Sequence, residues 1–153
     1  DHEAELAVIV GTGGKNIAEE RALDHIYGFT CANDVSQRNI QNGDRSGWFR
    51  GKSFDTFCPV GPMVVPASQL PNVGDLQVTC RLNGEIKQSG RTSQMIFSIY
   101  ETIAFISRNF TLEAGDLILT GTPSGVGPIS DGDVIEVEIE SIGTLRNPVV
   151  RET

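Results

Sequence analysis

The first pattern with chemical potential is a pair of glutamates, Glu3 and Glu5, separated by one residue and followed by the apolar run 6–10. Successive side chains of a strand point to opposite faces, so a strand here places both carboxylates on one face. Hard divalent cations such as Mg²⁺ prefer carboxylate oxygens as ligands. The pair therefore predicts part of a metal site, with Asp34, at the end of the next predicted strand, as the best third ligand.

The same spacing is also typical of a solvated strand face. Glu136, Glu138 and Glu140 alternate with apolar residues in the same way. Spacing alone therefore leaves both interpretations of Glu3 and Glu5 open.

Two polar segments are candidates for substrate binding. Cationic and amide side chains follow the second predicted strand at Arg38, Gln41, Arg50 and Lys52. Such donors can hold the carboxylates of an anionic substrate, and solvated loop charge is the alternative. The segment 120–125, TGTPSG, follows a predicted strand and offers hydroxyls and backbone N–H groups that suit a carbonyl or carboxylate. A simple turn is the alternative there.

A rival site lies in the segment 11–15, GTGGK, between a predicted strand and a predicted helix, where phosphate-binding loops occur. Asn16 follows Lys15 where a Walker loop needs Ser or Thr, and it also occupies the last glycine position of GxGxxG. A flexible turn is the simpler interpretation. A non-catalytic nucleotide-binding or assembly module is nevertheless the alternative from another class of function.

The first half of the chain predicts two strands around one helix. The helix begins at Asn16, which together with Glu19 resembles a capping box, and ends at Gly28. A second strand covers 29–35. The stretch 36–66 has no clear periodicity and is predicted as a long irregular connection that carries function.

The second half is richer in strands. Asn83-Gly84, between the stretches 77–82 and 85–88, predicts a β-hairpin with a type I′ turn. A helix is predicted between Thr92 and Asn109. Its apolar positions, which are expected to face the core, are Ile96, Ile99, Ile103, Ile106 and Phe110. Short strands are predicted at 117–120, 134–139 and 145–150. The fold class is therefore mainly β with few helices.

Composition restricts the function further. The 153 residues suit one domain, and twelve basic against twenty acidic residues give a net charge of −8, which argues against nucleic acid as a partner. The apolar runs are too short to span a membrane. The three cysteines form no CxxC pair, which suits a reducing cytoplasm. Cys31 and Cys80 are expected to be buried, and Cys58 is given no nucleophilic role.

Taken together, the motifs resemble the catalytic domain of the fumarylacetoacetate hydrolase family. The segments that carry the resemblance are 3–8, 33–41, 51–56, 95–98 and 119–127. They occur in the family's order and span nearly the whole chain. The resemblance implies a mixed β-roll of mostly antiparallel strands, assembled as a homodimer.

The resemblance also implies a set of site residues. The metal ligands, for Mg²⁺ or Mn²⁺ and alternatively Ca²⁺, are Glu3, Glu5 and Asp34, and the substrate contacts are Arg38, Gln41, Lys52 and Thr122. Lys52 is also expected to be catalytic, because its ammonium group supports negative charge that develops on the substrate.

The implied substrate is a small 2-oxo acid. The first expectation is hydrolytic cleavage of a carbon–carbon bond in an acylpyruvate or fumarylpyruvate type of 2,4-dioxo acid, through a metal-stabilised enolate. The alternatives are isomerisation or decarboxylation of 2-hydroxyhepta-2,4-diene-1,7-dioate in aromatic catabolism, and decarboxylation of oxaloacetate.

One departure from the family pattern bears on activity. The chain, 1–153, is expected to be the catalytic domain without the N-terminal part that precedes the Glu-x-Glu strand and carries a water-activating histidine. Neither His2 nor His25 is expected to replace that histidine. The fragment alone is therefore expected to bind metal but to show little hydrolysis.

Overall fold

Two four-stranded sheets form the framework in the computed structural model, which describes residues 1–152. The first sheet has the order β3-β2-β1-β6, and its strands are β1 (Ala4–Val10), β2 (Ile26–Asn33), β3 (Val60–Pro66) and β6 (Leu117–Leu119). The second has the order β5-β4-β7-β8, and its strands are β4 (Gln77–Leu82), β5 (Glu85–Arg91), β7 (Val134–Ile139) and β8 (Gly143–Pro148). All neighbouring strands are antiparallel, which confirms the predicted mainly-β class.

Helices are few and short. The α-helices are α1 (Arg38–Gly43), α2 (Gly47–Lys52) and α3 (Ile99–Asn109), and the 3-10 segments are Glu19–His25, Ala67–Gln69, Val73–Asp75 and Thr92–Gln94. A capping box starts α3, because the Ser98 hydroxyl accepts from the Glu101 N–H at 3.1 Å while the Glu101 carboxylate accepts from the Ser98 N–H at 2.7 Å.

The core fills the space between the two sheets. Ala4, Leu6 and Val8 of β1 belong to it together with Val137 and Ile139 of β7. Because side chains alternate along β1, the core positions leave Glu3 and Glu5 on the opposite face. The core-facing residues of β1 thus determine which face of the sheet carries the two carboxylates.

The predicted first helix is wrong. Asn16 has a φ of 54° and lies outside any helix, and the segment Glu19–His25 is a 3-10 helix with no side-chain cap. Gly28 does not end a helix but lies within β2, where an added Cβ would come within 2.4 Å of the Val65 carbonyl oxygen of β3. The glycine is therefore explained by the close approach of β3.

The stretch 36–66 is more regular than expected, since it contains α1, α2 and β3. Helices of six residues are too short for apolar periodicity to show in a sequence. β3 is an edge strand whose burial does not alternate, and Pro62 and Pro66 lower its strand signal further. These features explain why the sequence pattern missed it.

The hairpin and the third helix agree better with prediction. Asn83 and Gly84 have φ values of 52° and 83°, which suit the predicted type I′ turn. The helical stripe is partly wrong: Ile99 and Ile103 are buried, whereas Ile96 is 91% exposed and Phe110 is 69% exposed, both outside α3.

The prediction for two of the cysteines is confirmed. Cys31 and Cys80 are free, fully buried thiols, as expected. Among residues 1–152, no helix is long and apolar enough to cross a membrane.

Candidate active site

Three carboxylates converge beside the start of β1. Glu3 directly precedes β1, Glu5 lies within it and Asp34 directly follows β2. The register pairs Glu5 with Ala32, and the Asp34 N–H donates to the Glu3 carbonyl at 2.9 Å, so Asp34 lies opposite Glu3. One oxygen of each carboxylate lies within 4.8 Å of the others. The strand register therefore brings together the three carboxylates that are candidate ligands in the sequence.

Two cations from the helical connection contact this cluster. Lys52, the last residue of α2, donates from Nζ to Glu3 Oε2 at 3.1 Å and to Asp34 Oδ2 at 2.5 Å. Arg38, the first residue of α1, donates from Nη2 to Glu3 Oε1 at 2.6 Å. Gln41 is buried and accepts from Arg38 Nη1, which orients the guanidinium.

The two helices reach the cluster as a pair. The Gln37 N–H donates to the Gly51 carbonyl at 2.8 Å, and a Cβ at Gly51 would lie 3.1 Å from the Gln41 backbone. This close packing brings Arg38 and Lys52 to the same carboxylate although they are fourteen positions apart in the sequence.

Electrostatics differ between the two glutamates. Burial raises the pKa of Glu3, but the hydrogen bonds from Arg38 and Lys52 outweigh burial and leave that pKa below its ordinary value. Burial lowers the pKa of Lys52, but its bonds to Asp34 and Glu3 outweigh burial and leave the pKa raised. Glu3 is therefore ionised and Lys52 is cationic near neutral pH.

Glu5 is 3% exposed and has the more strongly shifted pKa. Burial raises the pKa of Glu5 to about 7, and the nearby Asp34 and Glu3 carboxylates add to the shift, against the Gly121 N–H, which lowers it. That N–H donates to Glu5 Oε2 at 2.6 Å. A buried acid with this pKa gains from a compensating positive charge.

The donor set fits a hard divalent cation. Oxygens bound to one Mg²⁺ at its usual distance lie at most about 4.2 Å apart, and Ca²⁺ permits about 5 Å. One oxygen of each of the three carboxylates lies within 4.8 Å of the others, which is inside the Ca²⁺ limit and close to the Mg²⁺ limit. All three are oxygen donors of the kind that Mg²⁺ and Mn²⁺ accept, so Glu3, Glu5 and Asp34 suit the predicted ligand set.

The other predicted substrate contacts have different positions. Arg50 donates to Asp44 at 2.6 Å and is exposed, so it lies outside the cluster. The Thr122 hydroxyl donates to the Ala4 carbonyl at 2.8 Å, directly between Glu3 and Glu5 in the chain. Thr122 thus borders the cluster from the opposite side to α1 and α2.

A cavity of about 620 Å³ adjoins the segment 120–124 and extends towards Met95 and Ile96. Gly121 belongs to its lining and also contacts Glu5, so one backbone segment separates the cavity from the carboxylates. The cavity lining includes none of Glu3, Glu5 and Asp34.

Sequence reasoning missed two contacts of the cluster. The Ser36 hydroxyl is buried and donates to Glu3 Oε1 at 3.2 Å, and the Gly121 N–H contacts Glu5. The position of Ser36 two residues after Asp34 was the available signal for the first. For the second, the segment 120–125 is predicted to offer backbone N–H groups, but its partner Glu5 lies 116 positions away and could not be predicted.

The rival segment 11–15 binds the protein itself. The N–H groups of Gly11 and Thr12 donate to the His25 carbonyl at 2.7 and 3.3 Å, and the Gly14 N–H donates to the Leu112 carbonyl at 2.9 Å. A phosphate-binding loop needs such groups free. The geometry therefore favours the interpretation of this segment as a turn.

Both histidines are held away from the carboxylates. His2 is 1% exposed, and its Nδ1 lies 2.9 Å from Gln88 Oε1. His25 Nδ1 lies 2.7 Å from the Thr12 carbonyl, beyond the far end of β1. Neither ring hydrogen-bonds to a carboxylate of the cluster among residues 1–152.

Comparison with known proteins agrees with the geometry. Residues 1–150 match the family described as fumarylacetoacetate (FAA) hydrolase, C-terminal. The chain belongs to the fumarylacetoacetate hydrolase family. Its relatives include the oxaloacetate tautomerase YisK of Bacillus subtilis, which is 47% identical over 97% of this chain and 52% of that protein.

Two solved structures of the family show the same fold. A 2-hydroxyhepta-2,4-diene-1,7-dioate isomerase from Mycobacterium marinum has a TM-score of 0.93 and 48% identity, over 99% of this chain and 58% of that one. A fumarylpyruvate hydrolase from Pseudomonas aeruginosa, in complex with Mn²⁺ and pyruvate, has a TM-score of 0.94 and 36% identity, over 99% of this chain and 66% of that one. The chain thus spans about half to two thirds of each relative's length.

Proposed function

We propose that the complete protein is a divalent-metal-dependent enzyme that interconverts the keto and enol forms of a small 2-oxo dicarboxylic acid such as oxaloacetate. The observation that carries the proposal is the compact cluster of Glu3, Glu5 and Asp34, compensated by Lys52 and Arg38. The tautomerase and the isomerase share 47% and 48% identity with this chain, and a fumarylacetoacetate hydrolase from Exiguobacterium antarcticum shares 45%, so identity does not rank the reactions. Tautomerisation is placed first because the charges of Lys52 and Arg38 beside the carboxylates suit binding of a 2-oxo acid and stabilisation of its enolate.

The carboxylates would hold Mg²⁺ or Mn²⁺, with Ca²⁺ as an alternative. The bound ion would supply Lewis-acid polarisation of the substrate's 2-oxo group.

The chain's own cations would bind and orient the substrate. The raised pKa of Lys52 keeps it protonated, so it acts as a positive charge beside the substrate oxygen rather than as a base. Arg38, oriented by Gln41, would hold a substrate carboxylate. Keto–enol exchange moves one proton from carbon C3 to the C2 oxygen and breaks no other bond, so the fixed charge of Lys52 favours the enolate-like transition state.

Hydrolysis of an acylpyruvate is the second candidate. The similarity to a fumarylpyruvate hydrolase bound to Mn²⁺ and pyruvate favours it. Hydrolysis also needs a group that activates water, and neither His2 nor His25 hydrogen-bonds to the cluster among residues 1–152. The family resemblance implies that this group lies in the segment before the Glu-x-Glu strand of the complete protein, and tautomerisation likewise needs a base that accepts the C3 proton.

The remaining features of the proposal follow from the family resemblance. They are a homodimeric assembly, a cytoplasmic location and, for the hydrolase, isomerase and decarboxylase alternatives, a place in aromatic catabolism.

The proposal is tested on the complete protein with Mg²⁺ or Mn²⁺. Oxaloacetate is added in its enol form, and the loss of enol absorbance is followed while pyruvate is assayed; a parallel sample contains an acylpyruvate. Metal-dependent loss of enol without pyruvate, abolished in Asp34→Asn and retained in the exposed control Asp24→Asn, supports tautomerisation. Pyruvate from the acylpyruvate indicates hydrolysis, pyruvate from oxaloacetate indicates decarboxylation, and no metal-dependent change in any sample rejects the enzyme proposal.

A further inference from the structure

Gln88 of β5 is 1% exposed, and the two ends of its side-chain amide bind different parts of the fold. Its Oε1 lies 3.1 Å from the Ala4 N–H nitrogen and 2.9 Å from His2 Nδ1, at the start of β1. Its Nε2 donates to Thr122 Oγ1 and to the Pro123 carbonyl, both at 2.7 Å. One buried side chain therefore joins β1 to the segment 120–125.

The orientation of this amide is fixed by backbone chemistry. The Ala4 N–H can only donate and the Pro123 carbonyl can only accept, so Oε1 must face β1 and Nε2 must face the loop. Thr122 Oγ1 then accepts from Gln88 and donates its own proton to the Ala4 carbonyl at 2.8 Å. The Thr122 hydroxyl proton is thus committed to β1 and is not free to bind a substrate.

Two glycine contacts show that the same loop packs directly on β5. A Cβ at Gly125 would lie 2.0 Å from the Lys87 carbonyl oxygen, and a Cβ at Gly90 would lie 2.9 Å from Pro123 Cβ. Gly125 also has a φ of 104°, which side chains rarely adopt. The segment 120–125 is therefore held on β5 on both sides of Gln88.

The held loop reaches the carboxylate cluster. Its Gly121 N–H donates to Glu5 at 2.6 Å, and Ala4, which Gln88 and Thr122 both bind, lies between Glu3 and Glu5. Any shift of the loop relative to β1 moves the Gly121 N–H away from Glu5.

We propose that Gln88 is a positioning residue of the active site. It fixes the segment 120–125 relative to Glu3 and Glu5, so that Gly121 meets Glu5 and the loop presents its backbone to the substrate. Gln88 acts through Thr122 and Pro123 and hydrogen-bonds to no carboxylate of the cluster among residues 1–152. The inference rests on the proposed function. Gln88 is neither one of the proposed metal ligands nor one of the proposed substrate contacts.

The test uses Gln88→Met, which keeps the length of the side chain but removes both ends of the amide, and Thr122→Val, which breaks the same connection from the loop. Gln77→Met on β4 is the matched control, because the Gln77 amide binds Ser89 and Val78 and not the loop. Amide hydrogen exchange is measured without metal at Gly121, with Val137 of the core as the reference. Binding of Mn²⁺, and then of oxalate at saturating Mn²⁺, is measured by calorimetry.

We expect exchange at Gly121 to accelerate about tenfold in both variants, since each loses buried hydrogen bonds, while Val137 stays protected. Oxalate affinity should fall about tenfold and Mn²⁺ affinity by less than about threefold. The control should change neither quantity.

Unchanged exchange at Gly121 in a folded Gln88→Met protein would overturn the inference. Loss of Val137 protection in both variants would also overturn it, because Gln88 would then support the whole fold rather than the loop. Failure of the unaltered protein to bind Mn²⁺ would reject the proposed function instead, and the exchange data alone would still decide whether Gln88 positions the loop.

Discussion

The start of β1 and the middle of β7 carry the same sequence pattern but have different chemistry. On β1, Glu3 and Glu5 face Asp34, and their carboxylates form one buried cluster. On β7, Glu136 and Glu138 are half-buried, and each pairs with an arginine of its own, Arg146 at 3.4 Å or Arg81 at 2.5 Å.

The neighbouring strands account for the difference. β2 ends opposite Glu3 with a third acid, whereas the register of β7 brings Arg81 from β4 and Arg146 from β8 opposite Glu136. Cross-strand partners are the units of interaction within a sheet. A Glu-x-Glu pattern therefore becomes part of a carboxylate cluster when the adjoining strand supplies a further acid, and part of ion pairs when it supplies arginines.

The sharpest test of this comparison concerns the cation of each region. Lys52→Met should lower kcat by about 1000-fold, because a fixed charge beside the developing enolate is lost. Mn²⁺ binding should persist, since Lys52 is not a ligand. Arg81→Met on β7 is the matched control and should leave kcat within about twofold. Steady-state kinetics on the complete protein check both, and a normal kcat in Lys52→Met would contradict the proposed role.

Substitution of one acid in each region should affect the Mn²⁺ affinity very differently. Asp34→Asn should weaken Mn²⁺ binding by a few hundred-fold, roughly the cost of losing one charged ligand. Glu138→Gln should change it by less than about twofold. Isothermal titration calorimetry measures both, and equal effects of the two substitutions would mean that the ion binds elsewhere.

The pKa of Glu5 predicts a cost to the stability of the metal-free protein. The pKa of Glu5 is about 7 in the folded protein, against an ordinary value of 4.5, so the folded state favours the neutral acid. The contribution of Glu5 to the free energy of unfolding is therefore complete below about pH 4.5 and is lost as the pH rises towards 7. Glu5→Gln should therefore raise the free energy of unfolding by about 3 kcal/mol at pH 8 and change it little at pH 4.5.

Urea unfolding with a chelator present, at both pH values, measures this difference. The control Glu136→Gln should stay within about 0.5 kcal/mol at either pH. A Glu5→Gln protein that is no more stable than the original at pH 8 would show that Glu5 is not strained by burial.

The smallest expected effect concerns Ser36. Its hydroxyl donates to Glu3 Oε1 at 3.2 Å, so Ser36→Ala removes one buried hydrogen bond, worth about 1 kcal/mol. Mn²⁺ affinity should change by about fivefold, whereas Ser89→Ala on β5, outside the cluster, should have no effect. A competition titration against a fluorescent chelator resolves changes of this size.

The sequence predicted what local periodicity controls. Alternation places Glu3 and Glu5 on one face, and Asn83-Gly84 predicts the hairpin. The end of the second predicted strand indicates Asp34 and the loop after it Lys52, and the family resemblance implies a role for each. These inferences needed only short spacings or matched motifs.

Contacts between distant segments escaped prediction. Gly28 was interpreted as a helix end because its real constraint, the Val65 carbonyl of β3, lies 37 positions away in the chain. Gln88 looked like an ordinary strand residue because its partners lie on β1 and in the segment 120–125. Residues of this kind are constrained by contacts between distant segments. A short stretch of sequence around either partner does not contain the other.

The ammonium group of Lys52 has a consequence for how the protein is made. Three acids within 4.8 Å would repel one another in a newly folded chain, but Lys52 bridges Glu3 and Asp34 from the end of α2. The polypeptide thus brings a tethered counter-ion of its own. Repulsion among the three acids is therefore offset within the polypeptide as soon as α2 packs beside β1 and β2.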